Sequence, residues 1–290
     1  MLHINKLMAA ALLVTSAVAA HGGNLWIAGD AIPNKWDLDK ATALVSRPGS
    51  QVYTGTLYLI ADQGFKFLTK PEYLNLEYGA AEGAVITNGK IQLAEGTNNE
   101  GYDLIKVAED GNYYISVNLE TKEAEIVKSA YQDTEIIYCS LFMIGSIYDP
   151  QYGFDESIPL YQLKDTPYEY SSTSELKAGK FKIATNLKGA RGWNKEYFYF
   201  MDPNDPGKMV LNQDGDHQWS IQNAGYYTVT ANTKDNTISI KSTVSSVVSS
   251  IAAENAPVEY YTLDGVKVNN PAKGLYIVKQ GSKVSKVILK

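Results

Sequence analysis

Leu25-Trp26-Ile27-Ala28-Gly29-Asp30-Ala31 and Leu141-Phe142-Met143-Ile144-Gly145-Ser146-Ile147 are two versions of one seven-residue phrase, set 116 residues apart. Phe65-Lys66-Phe67 and Phe181-Lys182-Ile183 repeat at the same offset. Gly111-Asn112-Tyr113-Tyr114-Ile115 is answered, at a slightly shorter offset, by Gly225-Tyr226-Tyr227-Thr228-Val229. Each match alone is weak. Three in one order mark an internal repeat of about 100 residues. Two modules follow, 22–128 and 135–242.

Both modules read as β. Val52–Ile60, Gly111–Asn118 and Tyr226–Ala231 alternate and are rich in β-branched and aromatic residues. Arg47-Pro48-Gly49-Ser50, Thr87-Asn88-Gly89-Lys90, Glu109-Asp110-Gly111-Asn112 and Gln213-Asp214-Gly215-Asp216 supply turns. No window of a dozen residues in the repeats carries a helical period. Short strands with frequent turns predict two tandem β-sandwiches of immunoglobulin-like size.

The ends differ from the repeats. Residues 1–20 place Lys6 before an apolar run, Leu7–Val14, and end in the small-x-small pattern Ala17-Val18-Ala19. That order predicts a removed export signal; the run is too short to span a bilayer. No Cys follows it to carry a lipid. Residues 243–255 read as a Ser-rich linker, and 256–290 as a small unit of three or four short strands. Residues 21–242 carry a net charge of −10 and residues 243–290 carry +3, a shift that supports a separate C-terminal unit.

The composition excludes several functions. The 290-residue chain has a formal net charge of −6 and only two arginines, Arg47 and Arg191. Nucleic-acid binding needs clustered cations, so it is not expected. One cysteine, Cys139, excludes an intramolecular disulfide framework. It sits in the apolar run Ile136–Phe142, which reads as a strand with a buried structural thiol. His21 and His217 read as solvated terminal and turn residues rather than bases, and no nucleophile, phosphate-loop or zinc motif occurs. Asp202-Pro203-Asn204-Asp205-Pro206-Gly207 offers hard oxygens, but Pro206 breaks the calcium-loop spacing. No catalytic residue, metal ligand or cofactor is therefore expected.

The 21 tyrosines and 4 tryptophans remain. Sugar rings need flat aromatic surfaces for their apolar faces and amide, carboxylate or ammonium groups for their hydroxyls. Arg191-Gly192-Trp193-Asn194-Lys195-Glu196-Tyr197 brings such groups together after the Phe181-Lys182-Ile183 strand. The same place in the first module holds Tyr73 and Tyr78. Trp193 reads equally as a rim or core residue: its Gly and Asn neighbours favour exposure, the aromatic strand beyond it burial. Trp219 alternates as a packed strand residue.

Taken in order, Leu25–Ala31, Trp36-Asp37, Lys40-Ala41, Tyr53–Leu57, Phe65-Lys66-Phe67 and Asp110–Tyr114 resemble the β-sandwich modules of outer-membrane starch-binding proteins of the SusE/SusF type. The second module keeps most of this pattern but lacks the Trp-Asp signature. The resemblance implies a non-catalytic protein that binds starch-like α-glucan, at the cell surface or secreted, with outer-membrane glycan-uptake proteins as partners. It implies Trp193, with Lys195, Arg191 and Tyr197, as the second module's ligand residues, and Tyr73 or Tyr78 in the first. Trp36 ranks lower, because the opening Trp-Asp of related amylase modules packs structurally. The tail is similar to C-terminal sorting modules of exported proteins, which implies a type IX secretion route. The competing expectation is a surface adhesin or structural protein without a sugar site.

Overall fold

The computed structural model describes residues 22–72, 74–243, 257–262, 267–280 and 283–289. The expected export signal, Tyr73, most of the Ser-rich linker and the turn at 263–266 lie outside the described residues.

The first module holds β1 (Asn24–Gly29), β2 (Thr42–Ser46), β3 (Val52–Leu59), β4 (Phe65–Leu68), β5 (Glu77–Ala80), β6 (Lys90–Gly96), β7 (Gly111–Asn118) and β8 (Glu123–Lys128). Hydrogen bonding runs β1-β2-β3-β7-β8-β6-β5-β4 and closes on β1. The second module holds β9 (Ser140–Gly145), β10 (Ile158–Gln162), β11 (Glu169–Leu176), β12 (Gly179–Ala184), β13 (Phe198–Asp202), β14 (Asp205–Leu211), β15 (Trp219–Ile221), β16 (Gly225–Asn232) and β17 (Thr237–Ser242). Its order, β13-β14-β17-β16-β11-β10-β9-β12 with β12 also paired to β13, is the same ring. The short β15 adds to β12 where the first module has only the Phe65–Ile105 bridge. The protein is all-β as expected, and closure leaves each sandwich with few open edges.

The repeated glycine has a steric cause. A Cβ on Gly29 would stand 2.2 Å from the Gly64 carbonyl oxygen, and one on Gly145 would stand 2.0 Å from that of Lys180. Both glycines let the first strand of the module approach its fourth.

Alternation explains the packing. Leu25, Ile27, Phe65 and Phe67 point into the first core; Leu141, Met143, Phe181 and Ile183 point into the second. Their neighbours Trp26, Ala28 and Leu68 on one module, and Phe142, Ile144 and Ala184 on the other, form a third apolar cluster between the modules. Strands β1 and β9 are thus buried on both faces, which is why they read as continuous apolar runs. Asn186 Nδ2 donates to the carbonyls of Lys40 and Ala41 at 2.8 and 3.1 Å, and Ser140 Oγ to that of Ala43 at 2.9 Å, stitching the junction's edge.

Ile136–Cys139 is not a strand. The segment lies along β3, with the Tyr58 amide donating to the Ile136 carbonyl at 2.8 Å. Cys139 is fully buried in the first module's core, and burial pushes its thiol well above its ordinary value. Trp219 is packed as expected, with Nε1 donating to the Pro206 carbonyl at 2.9 Å. In the tail, β18 (Val258–Tyr261), β19 (Lys267–Val268), β20 (Gly274–Gln280) and β21 (Lys283–Leu289) form a separate sheet in the order β19-β18-β20-β21.

Candidate functional site

Trp193 lies in the connection from β12 to β13. Thr185 N and Tyr197 O bond across its base at 2.9 Å. Asn186 caps the one-turn helix α1 (Leu187–Ala190) through Gly189 N, while its amide nitrogen holds the first module. Gly192 and Trp193 both have left-handed φ, +86° and +63°, so the chain reverses and carries the indole to the surface.

The indole is 44 % exposed and rests on other rings. Phe198 stacks against it at 5.9 Å and 13°, Phe154 meets it at 5.2 Å, and Tyr152 edges it at 5.9 Å. Beneath lies Lys182, almost buried, with Nζ 4.9, 4.7 and 5.2 Å from the ring centres of Trp193, Phe198 and Phe200. Its ammonium donates to Asp216 Oδ1 at 2.9 Å. Partial burial alone would raise the Asp216 carboxyl, but bonds from Lys182 and Gln218 outweigh it and hold it below its ordinary value. A buried ammonium needs such company, because an unpaired charge away from water is costly.

The other residues expected beside Trp193 are arranged differently. Lys195 pairs with Asp214, lowering that carboxyl through a direct hydrogen bond, and Arg191 pairs with Asp155. Arg191 also lies 5.6 Å over the Phe154 ring, which keeps it at the platform's margin. Tyr197 is half-buried against the inter-module cluster, close to Gly189. The lysine over Trp193 is Lys182, which the sequence reading missed. The available signal was Lys66 and Lys182 recurring between core residues at one offset.

The first module builds a counterpart on Lys66. Its ammonium is 2.8 Å from Glu77 Oε1, 2.6 Å from Asn99 Oδ1, 3.1 Å from the Tyr102 hydroxyl and 5.7 Å from the Trp36 ring centre. Register explains the different partners: Glu77 faces Leu68 as Phe198 faces Ala184. Burial would raise Glu77, but bonds from Lys66, Tyr102 and the Asn99 amide hold it below its ordinary value. Burial and Glu77 together push Tyr102 far up. Trp36, Asn99, Tyr102, Asp103 and Leu104 line a hollow of about 480 Å³ beside it.

Tyr78 corrects an expectation. It is 6 % exposed in the first core and offers no ring face to a ligand, because it lies opposite Phe67 in the ladder and points inward with it. In Asp202–Gly207 the two carboxylates cap their own turn, accepting from Asn204 N at 2.8 Å and Gly207 N at 2.9 Å. Among the described residues no group of three or more His, Cys, Asp or Glu side chains comes together, and no helix is long and apolar enough to cross a membrane.

A family model described as SusF/SusE starch specific CBMs matches residues 24–125. Among curated proteins, none matches the chain. The crystal structure of SusF from Bacteroides thetaiotaomicron matches at 19 % identity and a TM-score of 0.29, over 75 % of this chain and 47 % of that one. The chain spans about half the length of that solved protein.

Proposed function

We propose that this chain is an exported, non-catalytic glucan-binding protein with one aromatic sugar surface in each β module. The observation that carries the reading is the half-exposed Trp193 ring, stacked on Phe198 and flanked by Phe154 and Tyr152 over Lys182. A ring supported from below offers a flat face to a pyranose with little further ordering. Arg191, Asp155 and Gln218 stand at its margin to bond hydroxyls. In the first module the equivalent surface is Trp36 and Tyr102 at the hollow beside Lys66.

The family-model match over residues 24–125 supports a starch-like ligand, and with it a place at the cell surface alongside outer-membrane glycan-uptake proteins. The order of residues 1–20 supports export. The exposure of Trp193 weighs against the adhesin reading. A few stacked rings supply micromolar to millimolar affinity, about 4–8 kcal/mol.

Affinity electrophoresis on amylopectin tests this. Retardation is expected for the wild type, with most of it lost in a Trp193→Ala, Trp36→Ala double variant. Unretarded wild-type migration, or release of reducing sugar from amylopectin, sinks the reading.

A further inference from the structure

The closed ring of the second module has a mouth at the end where the chain enters it. Tyr170 on β11 and Tyr199 on β13 reach that mouth from the core, 1 % and 5 % exposed. Register gives both a counterpart in the first module. Tyr53 matches Tyr170, six residues before Leu59 and Leu176, and Tyr78 matches Tyr199, opposite Phe67 and Ile183. What differs is the cover. Tyr78 lies near the charged pair Lys122–Glu95. Over Tyr199 lies the connection between the modules, residues 131–138.

Tyr131, Tyr138 and Tyr168 wall a hollow of about 200 Å³ there, with Ile136 and Ile137. The Tyr170 hydroxyl donates to the Tyr138 carbonyl at 2.7 Å and so holds the connection in place. The Tyr131 and Tyr168 rings lie 5.0 Å apart, tilted by 54°. Lys234 Nζ stands 5.1 and 5.2 Å from their centres and 3.4 Å from Asp133 Oδ2. Asp133, Glu135 and Lys234 are all exposed, so the charges stay at the rim. The interior presents hydroxyls instead. Neither the Tyr138 nor the Tyr199 hydroxyl has a hydrogen-bond partner among the described residues, and burial pushes both phenols up, so both stay protonated. Each can therefore donate and accept. Polar groups this deep are as a rule hydrogen-bonded, so two open phenols facing one hollow call for a partner.

We infer that this hollow binds one neutral sugar ring, either a free hexose or the terminal ring of an oligosaccharide. Barrel mouths and module interfaces are where small-molecule sites concentrate, and this is both. The size admits one ring, being below the roughly 300–1,000 Å³ of sites for drug-sized ligands. The walls are aromatic and aliphatic, which suits the apolar faces of a pyranose, and the open phenols suit its hydroxyls. Lys234 is already answered by Asp133, so an anion finds no free cation inside. β17 runs away from the hollow: Thr237 faces Asn232 beside it, and Ser242 faces Tyr227 about 17 Å further on. No lining residue is shared with the surfaces at Trp193 or Trp36, so the inference stands apart from the glucan reading.

The test follows isotope-labelled tyrosine rings of the full chain by NMR during titration with glucose, maltose and cyclohexanol. Glucose and maltose are expected to shift the Tyr138 and Tyr199 signals saturably, and the Trp193→Ala, Trp36→Ala double variant to respond alike. A glucose response as strong as that to maltose assigns a free hexose; a stronger maltose response assigns a chain end. Tyr199→Phe and Tyr138→Phe each remove one hydroxyl and little volume. Each is expected to weaken sugar binding roughly 2- to 12-fold, the loss of one neutral hydrogen bond, with melting and amylopectin retardation unchanged. Three results overturn the inference: no sugar shifts these signals, which leaves the phenols to ordered water or to another part of the chain; cyclohexanol shifts them as strongly as glucose, which makes the hollow merely apolar; or both Phe variants bind sugar as the wild type does.

Discussion

The Lys182 ammonium lies 4.9 Å from the centre of the Trp193 ring, and Lys66 lies 5.7 Å from that of Trp36 in the matching position of the other module. Both lysines project from the outer face of the strand whose inner face fills the core. Both are nearly excluded from water, each covered by side chains of its own module: Lys66 by Glu77, Asn99, Tyr102 and Trp36, and Lys182 by Asp216, Trp193, Phe198 and Phe200. One repeat position thus supplies a fixed positive charge under an aromatic surface, answered by Glu77 and Tyr102 in one module and by Asp216 and three rings in the other.

Lys182→Met keeps the stem's packing and removes the charge. Cation–π contacts contribute about 0.5–2 kcal/mol, so amylopectin affinity is expected to fall roughly 2- to 30-fold. The Trp193 fluorescence should shift as the ring loses its support. Unchanged affinity and emission would show that the ammonium neither holds the ring nor strengthens its surface.

Lys195→Ala is expected to leave glucan affinity within about twofold, since exposed ion pairs such as Lys195–Asp214 contribute little. Isothermal titration with maltoheptaose checks this. A loss comparable to that of Trp193→Ala would return Lys195 to the role that its place in the sequence suggested.

The repeat, the strands and the second core were legible because alternation and turn residues are local signals: Leu141, Met143, Phe181 and Ile183 announce themselves. The lysines were not. Whether an outward residue on β4 or β12 meets water depends on what covers the outer face, and the cover comes from distant segments of the same module, Asn99 and Tyr102 over Lys66 and Asp216 beside Lys182. Sequence proximity also misled for Lys195, because reversal of the chain at Gly192–Trp193 aims the indole at Phe154 and Phe198 while Lys195 reaches Asp214; Arg191, paired with Asp155, stays at the platform's margin over Phe154. Tyr78 follows a strand as Trp193 does, but pairing opposite Phe67 turns it inward.

Acid should weaken the first module through Glu77. Its folded-state carboxyl is held below the ordinary value of 4.5, so the stability it contributes is complete above that value and is lost as pH falls through the lower, folded one. Melting temperature followed from pH 7 down to about pH 3 should drop in this window. Glu77→Gln leaves Lys66 buried without its counter-charge and should cost about 3–5 kcal/mol at neutral pH, with a flatter acid limb. A parallel acid limb in the variant would place the titration elsewhere.

The junction makes a prediction about cooperativity. Phe142 is 3 % exposed and sits among Trp26, Leu68 and Phe198 in the cluster between the modules, so its ring belongs to neither core alone. Burial on that scale, with hydrogen bonds from Asn186 and Ser140 at the margin, couples the two modules. Residues 22–243 are therefore expected to unfold in one calorimetric transition. Phe142→Ala removes a large buried ring and should cost about 3–5 kcal/mol, and it should split the transition as each module comes to melt on its own core. Coupling also bears on binding. With the surfaces at Trp193 and Trp36 on one rigid body, a long glucan reaches the second at an effective concentration set by geometry. Phe142→Ala should thus weaken amylopectin binding more than maltotriose binding, a ligand too short to bridge. Two separate transitions in the wild type, or equal losses for both ligands, would show that the modules act independently.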